Sequence, residues 1–230
     1  MSLVEHREGI EAGRLDMFVD GAFAFTLTLL VIGRDAVPAS VQELLHMLGG
    51  IPAFAASFSM MAFFWHGHVR WRRHSLRADG RGLLLSLLLV FFALIFVYPL
   101  HMMFSSLFSA IDPGGRPDGF ALSEMGNLRA LYVCYGVAFT CMAGTLALLF
   151  RHAARVAQRE ARSPLQARLE QLSWMVPTVL GLLSALLALA LPVSAPPLLW
   201  SLPGWLYALM FLIGPLTSRF RRRHGMSELS

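Results

Sequence analysis

Asp20 is the residue in this chain that most needs explaining. It sits at the head of an uncharged run, Gly21 to Gly33, that also holds Thr26 and Thr28. A carboxylate in an apolar helix is costly, so such groups face a bundle interior or a water path and serve ion handling, proton relay or a polar cluster. A second polar group, Trp65, His66 and His68, ends another apolar run just ahead of Arg70. Trp65 and His68 are i, i+3 neighbours on one helical face, and a buried indole N–H requires an acceptor. The main reading is a hydrogen-bonded cluster of Asp20, Trp65 and His68 that clamps two helices together. The competing reading is a direct ionic or protonic role for Asp20.

Other chemistries find little support. The chain has no lysine, which removes Schiff-base and lysine-nucleophile mechanisms. There is no second membrane aspartate to pair with Asp20 and no G-x-S-x-G motif, so an intramembrane protease is disfavoured. Haem or metal ligation would draw on His66, His68 and His101, but bis-histidine ligation needs matching depths on facing helices, and His68 is expected near the cytoplasmic end of its helix while His101 is expected toward the outer end of the third. A secondary transporter with Asp20 as a coupling carboxylate stays open, although no inverted second half with a matching broken helix is visible. No enzymatic activity and no cofactor are expected.

The elements that must position these residues are membrane helices. The 230 residues are 56% hydrophobic and only 14% charged, against about 25% charged in a soluble domain. The shortfall is concentrated in six runs, about 15–33, 49–70, 82–108, 128–150, 172–191 and 198–217. We read these as one all-α, six-helix transmembrane domain over 1–230. Pro99 should kink the third helix. The stretch from Arg151 to Gln171, broken at Pro164, should prolong the fourth helix and start the fifth. Trp200, Trp205 and Tyr207 read as interfacial aromatics. The first run has 13 uncharged residues, fewer than the ~17–25 that span a bilayer, so its helix must begin before Asp20, with the carboxylate against protein. The acidic N-terminus (Glu5, Glu8, Glu11) does not resemble a signal peptide. Cys134 and Cys141 lie about two turns apart on one face, too far to bridge, and read as buried thiols.

Arginine placement sets the orientation. Sixteen of the 19 arginines fall on the side of the N-terminus, the second and fourth loops and the tail, and three on the other side. Both termini are therefore expected in the cytoplasm, with the Arg-rich loops against anionic lipid headgroups rather than nucleic acid. On a wheel of about 100° per residue, Phe18, Gly21, Phe25, Thr28, Leu29 and Ile32 form one face of the first helix. Asp20, Ala24, Leu27 and Val31 lie on the other.

The pattern Arg14-x-x-x-Phe18-x-Asp20-Gly21-x-Phe23-Ala24-Phe25-x-x-Thr28-Leu29-Leu30, followed by Ser57-Phe58 and Trp65-x-x-His68, resembles the transmembrane protein 175 family. Its members are the endolysosomal potassium channels of animals and their bacterial homologues. The family signature is an Arg, three residues, then Phe-Ser-Asp on the first helix, and Trp-x-x-His-His on the second. Here Val19 replaces the Ser and Val69 the second His.

The resemblance implies a homotetramer whose first helices line a central pore. It implies a potassium-selective or weakly selective cation channel in the inner (plasma) membrane, with K⁺ as permeant ion. In that frame Phe25, Leu29 and Ile32 form the pore constriction, where the family has Ile at the first position, and Thr28 contributes to selectivity. Arg14, Asp20, Trp65 and His68 become the polar cluster that holds the pore helix in place.

Overall fold

The computed structural model describes residues 3–32, 39–75, 79–111, 125–192 and 194–212; within these ranges the side chains of 3–12, 31–32, 46, 110–111, 125–126, 197 and 211–212 are not described. The described chain is helical, without strands. In order come α1 (Leu3–Ile32), α2 (Val41–Leu48), α3 (Ile51–His74), α4 (Gly80–Ile111), α5 (Met125–Arg159), α6 (Leu165–Ala190), α7 (Pro197–Trp200) and α8 (Leu202–Ala208), then a 3-10 turn over Leu209–Leu212.

Three of these helices, over Gly80–Ser109, Asn127–Arg159 and Leu165–Ala190, are long and apolar enough to cross a membrane. That is half the expected number of spans among the described residues. α1 and α3 have the length, at 30 and 24 residues, and carry charge at one end, while the apolar stretch of α1 continues into residues 31–32, whose side chains are not described. α1 opens on Glu5, Arg7, Glu8 and Glu11, and α3 closes on Arg70, Arg72 and Arg73. The last expected helix is not continuous. Over 197–212 it is two short helices and a 3-10 turn, while 213–217 lie outside the described residues. Proline explains the interruptions: Pro196, Pro197 and Pro203 supply no backbone N–H and favour helix starts over helix interiors.

α5 and α6 are the most extensively packed pair. Small residues make this possible. A Cβ built on Gly136 would lie 2.8 Å from the Gly181 carbonyl oxygen and 3.0 Å from Ala185 Cβ, so the two backbones meet where neither carries a side chain. The turn between the helices uses Ala161 in the left-handed region at φ 54°, and α6 starts after Pro164. This is the break expected there.

The core between α3, α4, α5 and α6 is aromatic. Phe64 sits at the centre, edge-on to Phe96 at 5.7 Å and to Phe139 at 5.4 Å between ring centroids, with Trp174 closing the cluster at 5.8 Å. Gly67 gives Trp174 its place, since a Cβ there would meet the indole at 2.4 Å. Two expectations are corrected. Trp200 is buried at 1% exposure rather than interfacial, with the Arg129 guanidinium 5.8 Å from its ring; Trp205 is 68% exposed, and Tyr207 packs against Tyr135 and Phe139. Both cysteines are free, but Cys134 is exposed and Cys141 only half-buried.

Candidate functional site: the faces of the first helix

α1 packs against α4 and α3. Leu15, Val19, Phe23, Thr26 and Leu30 are its buried residues, at 6% exposure or less. Their spacing of four, four, three and four is one helical stripe. Thr26 belongs to it by donating its hydroxyl to the Ala22 carbonyl at 2.8 Å, which satisfies a polar group that would otherwise be costly to bury.

The other side of α1 is uncovered. Phe18 is 54% and Phe25 57% exposed; Arg14, Gly21, Ala24 and Thr28 are exposed with them, and Leu29 is half-buried. A Cβ built on Gly21 would meet nothing within 4 Å. The Thr28 hydroxyl donates to the Phe25 carbonyl at 2.7 Å, leaving its oxygen lone pairs directed outward. The Ile32 side chain lies outside the described residues.

This face differs in kind from the uncovered faces of α4 and α6. On α4 they run Leu83, Leu84, Leu87, Phe91 and Ile95; on α6 they run Leu172, Val176, Val179, Leu183 and Leu186. Those are uniform hydrocarbon surfaces suited to lipid. The α1 face mixes aromatics with Gly, Ala and Thr, the residue types that permit close helix approach in membranes.

The proposed polar cluster separates into distinct contacts. Trp65 Nε1–H donates to Asp20 Oδ1 at 2.8 Å, joining α3 to α1. Both residues are exposed, so this contact sits at the margin of the bundle rather than inside it. His68 does not join it. It is buried at 1% exposure, pairs through Nε2 with Ser86 Oγ at 3.0 Å and stacks obliquely on Trp71 at 5.2 Å. Arg14 stands apart on the exposed face. The guanidinium that does reach α1 belongs to Arg72, whose Nε donates to Asp16 Oδ1 at 2.6 Å.

Further polar ties occupy the arginine-rich end. Arg70 pairs with Glu170, linking α3 to α6, and His152 Nε2 lies 2.5 Å from Asp79 Oδ2, linking α5 to the start of α4. Sequence reasoning overlooked these. Their signal was present as Asp16, Asp79 and Glu170, isolated acids among many arginines. Among the described residues no three His, Cys, Asp or Glu side chains gather as a metal site would require.

A bundle of long apolar helices with one helix half-covered defines a membrane protein of all-helical class. Comparison with known proteins makes this particular. Residues 14–99 match the family described as "Endosomal/lysosomal potassium channel TMEM175", so the resemblance carried by the first two apolar runs holds over that segment. A protein named "Potassium channel" from Marivirga tractuosa is 27% identical over 135 residues, 56% of this chain and 54% of that protein. The match thus spans about half the length of that curated relative. In fold, the chain is similar to a crystal structure of a variant of the potassium channel MtTMEM175 in complex with a nanobody–MBP fusion, with a TM-score of 0.76, 22% identity, and coverage of 93% of this chain and 94% of that one. It is also similar to a lysosomal potassium-selective channel TMEM175 homologue from Chamaesiphon minutus, with a TM-score of 0.59, 21% identity, and coverage of 90% and 98%. The chain shares this fold over nearly its whole length.

Proposed function

We propose that this chain is the protomer of a homotetrameric, potassium-selective or weakly selective cation channel, with α1 lining the axial pore. The observation that carries the reading is the uncovered α1 face, where Phe18, Gly21, Phe25 and Thr28 lie opposite a fully packed stripe. Four copies around an axis would cover this mixed surface and leave the uniform leucine faces of α4 and α6 to lipid. The family match over 14–99, which includes all of the candidate pore residues, supports the same assignment.

In this reading four Phe25 rings form a hydrophobic constriction that gates by dewetting, continued by Leu29 and, by helical spacing, Ile32. A cation sheds part of its hydration there. The outward lone pairs of Thr28 and nearby backbone carbonyls replace some of the lost water. Widening or rotation of α1 opens the gap, a two-state change of a few kcal/mol. Asp20 lies off this stripe, engaged by Trp65, and holds α1 against α3 instead of binding the permeant ion. The six-run domain sits in the inner membrane with both termini on the cytoplasmic, arginine-rich side.

The test is mass and flux together. The detergent-purified full chain should run as a tetramer by native mass spectrometry, and proteoliposomes containing it should release K⁺ down its gradient. A monomer that moves K⁺ only when a proton gradient is applied would replace the channel with a coupled transporter.

A further inference from the structure

At the arginine-rich end, α4 and α5 border an open cleft of about 360 Å³. Its rim is cationic, made by Arg81 from α4 and by Arg151 and Arg155 from α5, while Leu84, Leu85 and Leu148 form its wall. Helical spacing puts these two layers in register. Leu84 and Leu85 follow Arg81 by three and four residues, and Leu148 precedes Arg151 by three. Leu84 is 66% and Leu148 46% exposed, and both lie within the helices long and apolar enough to span. The leucines therefore face hydrocarbon, and the arginines stand at the headgroup level above them.

His152 of α5 also lines the cleft, and Asp79 is its partner. One Asp79 oxygen lies against His152 Nε2 at 2.5 Å and the other accepts the Gly82 N–H at 2.9 Å, so neither is spent on a rim arginine. Among the described residues no carboxylate pairs with Arg81, Arg151 or Arg155. Guanidinium groups bind phosphate oxygens with planar, often bidentate geometry, so three of them around one opening recruit a phosphate. A free phosphate would use the rim alone. The exposed leucine wall beneath it calls for a ligand that continues into hydrocarbon.

We propose that this cleft is a binding site for the headgroup of an anionic phospholipid from the arginine-rich leaflet, with an acyl chain running along Leu84 and Leu148. A net-negative headgroup such as phosphatidylglycerol fits. The choline of phosphatidylcholine would meet the same arginines with a like charge.

Full-length protein, delipidated in detergent, is titrated with phosphatidylglycerol, with phosphatidylcholine and with inorganic phosphate. Retained lipid is counted by native mass spectrometry and thermal stabilisation is measured in parallel. Phosphatidylglycerol should bind and stabilise where the other two do not. Arg151→Gln and Arg155→Gln should each weaken its apparent affinity roughly fivefold, the usual worth of one basic residue at an anionic surface. Arg162→Gln, whose guanidinium already pairs with Glu160, should leave it unchanged. Leu84→Asn should weaken lipid binding with every arginine retained. Undiminished phosphatidylglycerol binding in both single arginine variants would overturn the proposal. So would an equal stabilisation by inorganic phosphate, which would make this a soluble-anion site, or by phosphatidylcholine, which would make it a nonspecific lipid surface.

Discussion

Trp65 Nε1–H reaches Asp20 Oδ1 across 2.8 Å, tying α3 to α1 through residues 45 positions apart. The bond accounts for a carboxylate beside an apolar stretch, and it does so away from the exposed Phe18–Phe25–Thr28 face. A charge-assisted hydrogen bond is worth about 1.5–3 kcal/mol, and partial exposure here favours the lower end. Trp65→Phe should lower the thermal stability of the assembled protein by about 1–2 kcal/mol while leaving ion preference unchanged. Asp20→Asn should likewise impair folding or assembly more than selectivity. A large change in K⁺ over Na⁺ preference with intact assembly would instead put Asp20 on the ion path.

Phe25 is the residue on which the constriction rests. Phe25→Ala widens the gap and Phe25→Asn makes it wettable, so both should raise or relax cation flux in proteoliposomes. Unchanged flux and selectivity in both variants would remove this face from the pore.

Thr28 offers a narrower test. Its hydroxyl proton is held by the Phe25 carbonyl, so its oxygen is presented outward as an acceptor. Thr28→Val keeps the shape and removes the oxygen, and should reduce discrimination between K⁺ and Na⁺ with the tetramer intact. Thr28→Ser should preserve most of that discrimination. Equal selectivity in wild type and the Val variant, measured by reversal potential, would argue against the role.

The α5–α6 contact predicts a pure packing effect. Gly136→Ala would place a methyl group 2.8 Å from the Gly181 carbonyl oxygen, against backbone that cannot rotate away. Overpacking of this kind costs about 1–3 kcal/mol, to be read as a lowered melting temperature. By contrast, Gly21→Ala meets open space within the chain. Its protomer should fold normally, and any loss should appear at assembly.

His74, at the end of α3 beyond the proposed second span, supplies a pH dependence. Burial pushes its imidazole below the ordinary value of 6.5; Glu170 partly opposes this and Arg70 adds to it. Below about pH 6.5 the unfolded chain takes up a proton that the folded chain resists, so folded stability falls as pH drops through that range. The contribution is fully present above it. His74→Gln should flatten part of the decline in melting temperature between neutral and mildly acid pH. A wild-type-like slope would show that other groups govern it.

Local chemistry in the chain made the helices legible. Apolar runs, proline breaks and the Gly and Ala spacing depend on neighbours three or four residues away, so α1, α3, α4, α5 and α6 could be located and the helical class named from residue order. The first-helix wheel rests on the same local period. It separated Phe18, Phe25 and Thr28 from Asp20, and all of them remain off the buried stripe of Leu15, Val19, Phe23, Thr26 and Leu30.

Which of several faces becomes covered is a long-range choice, set by shape and charge partners far along the chain. Only the packed structure gave His68 to Ser86 rather than to Asp20, and brought Arg72 to Asp16 and Arg70 to Glu170 across 56 and 100 positions. It likewise buried Trp200 and broke the last apolar run at its prolines. Periodicity cannot choose among donors of equal chemistry at similar depth. Distance and burial can, because an unpaired polar group in a dry core is costly enough to select its partner.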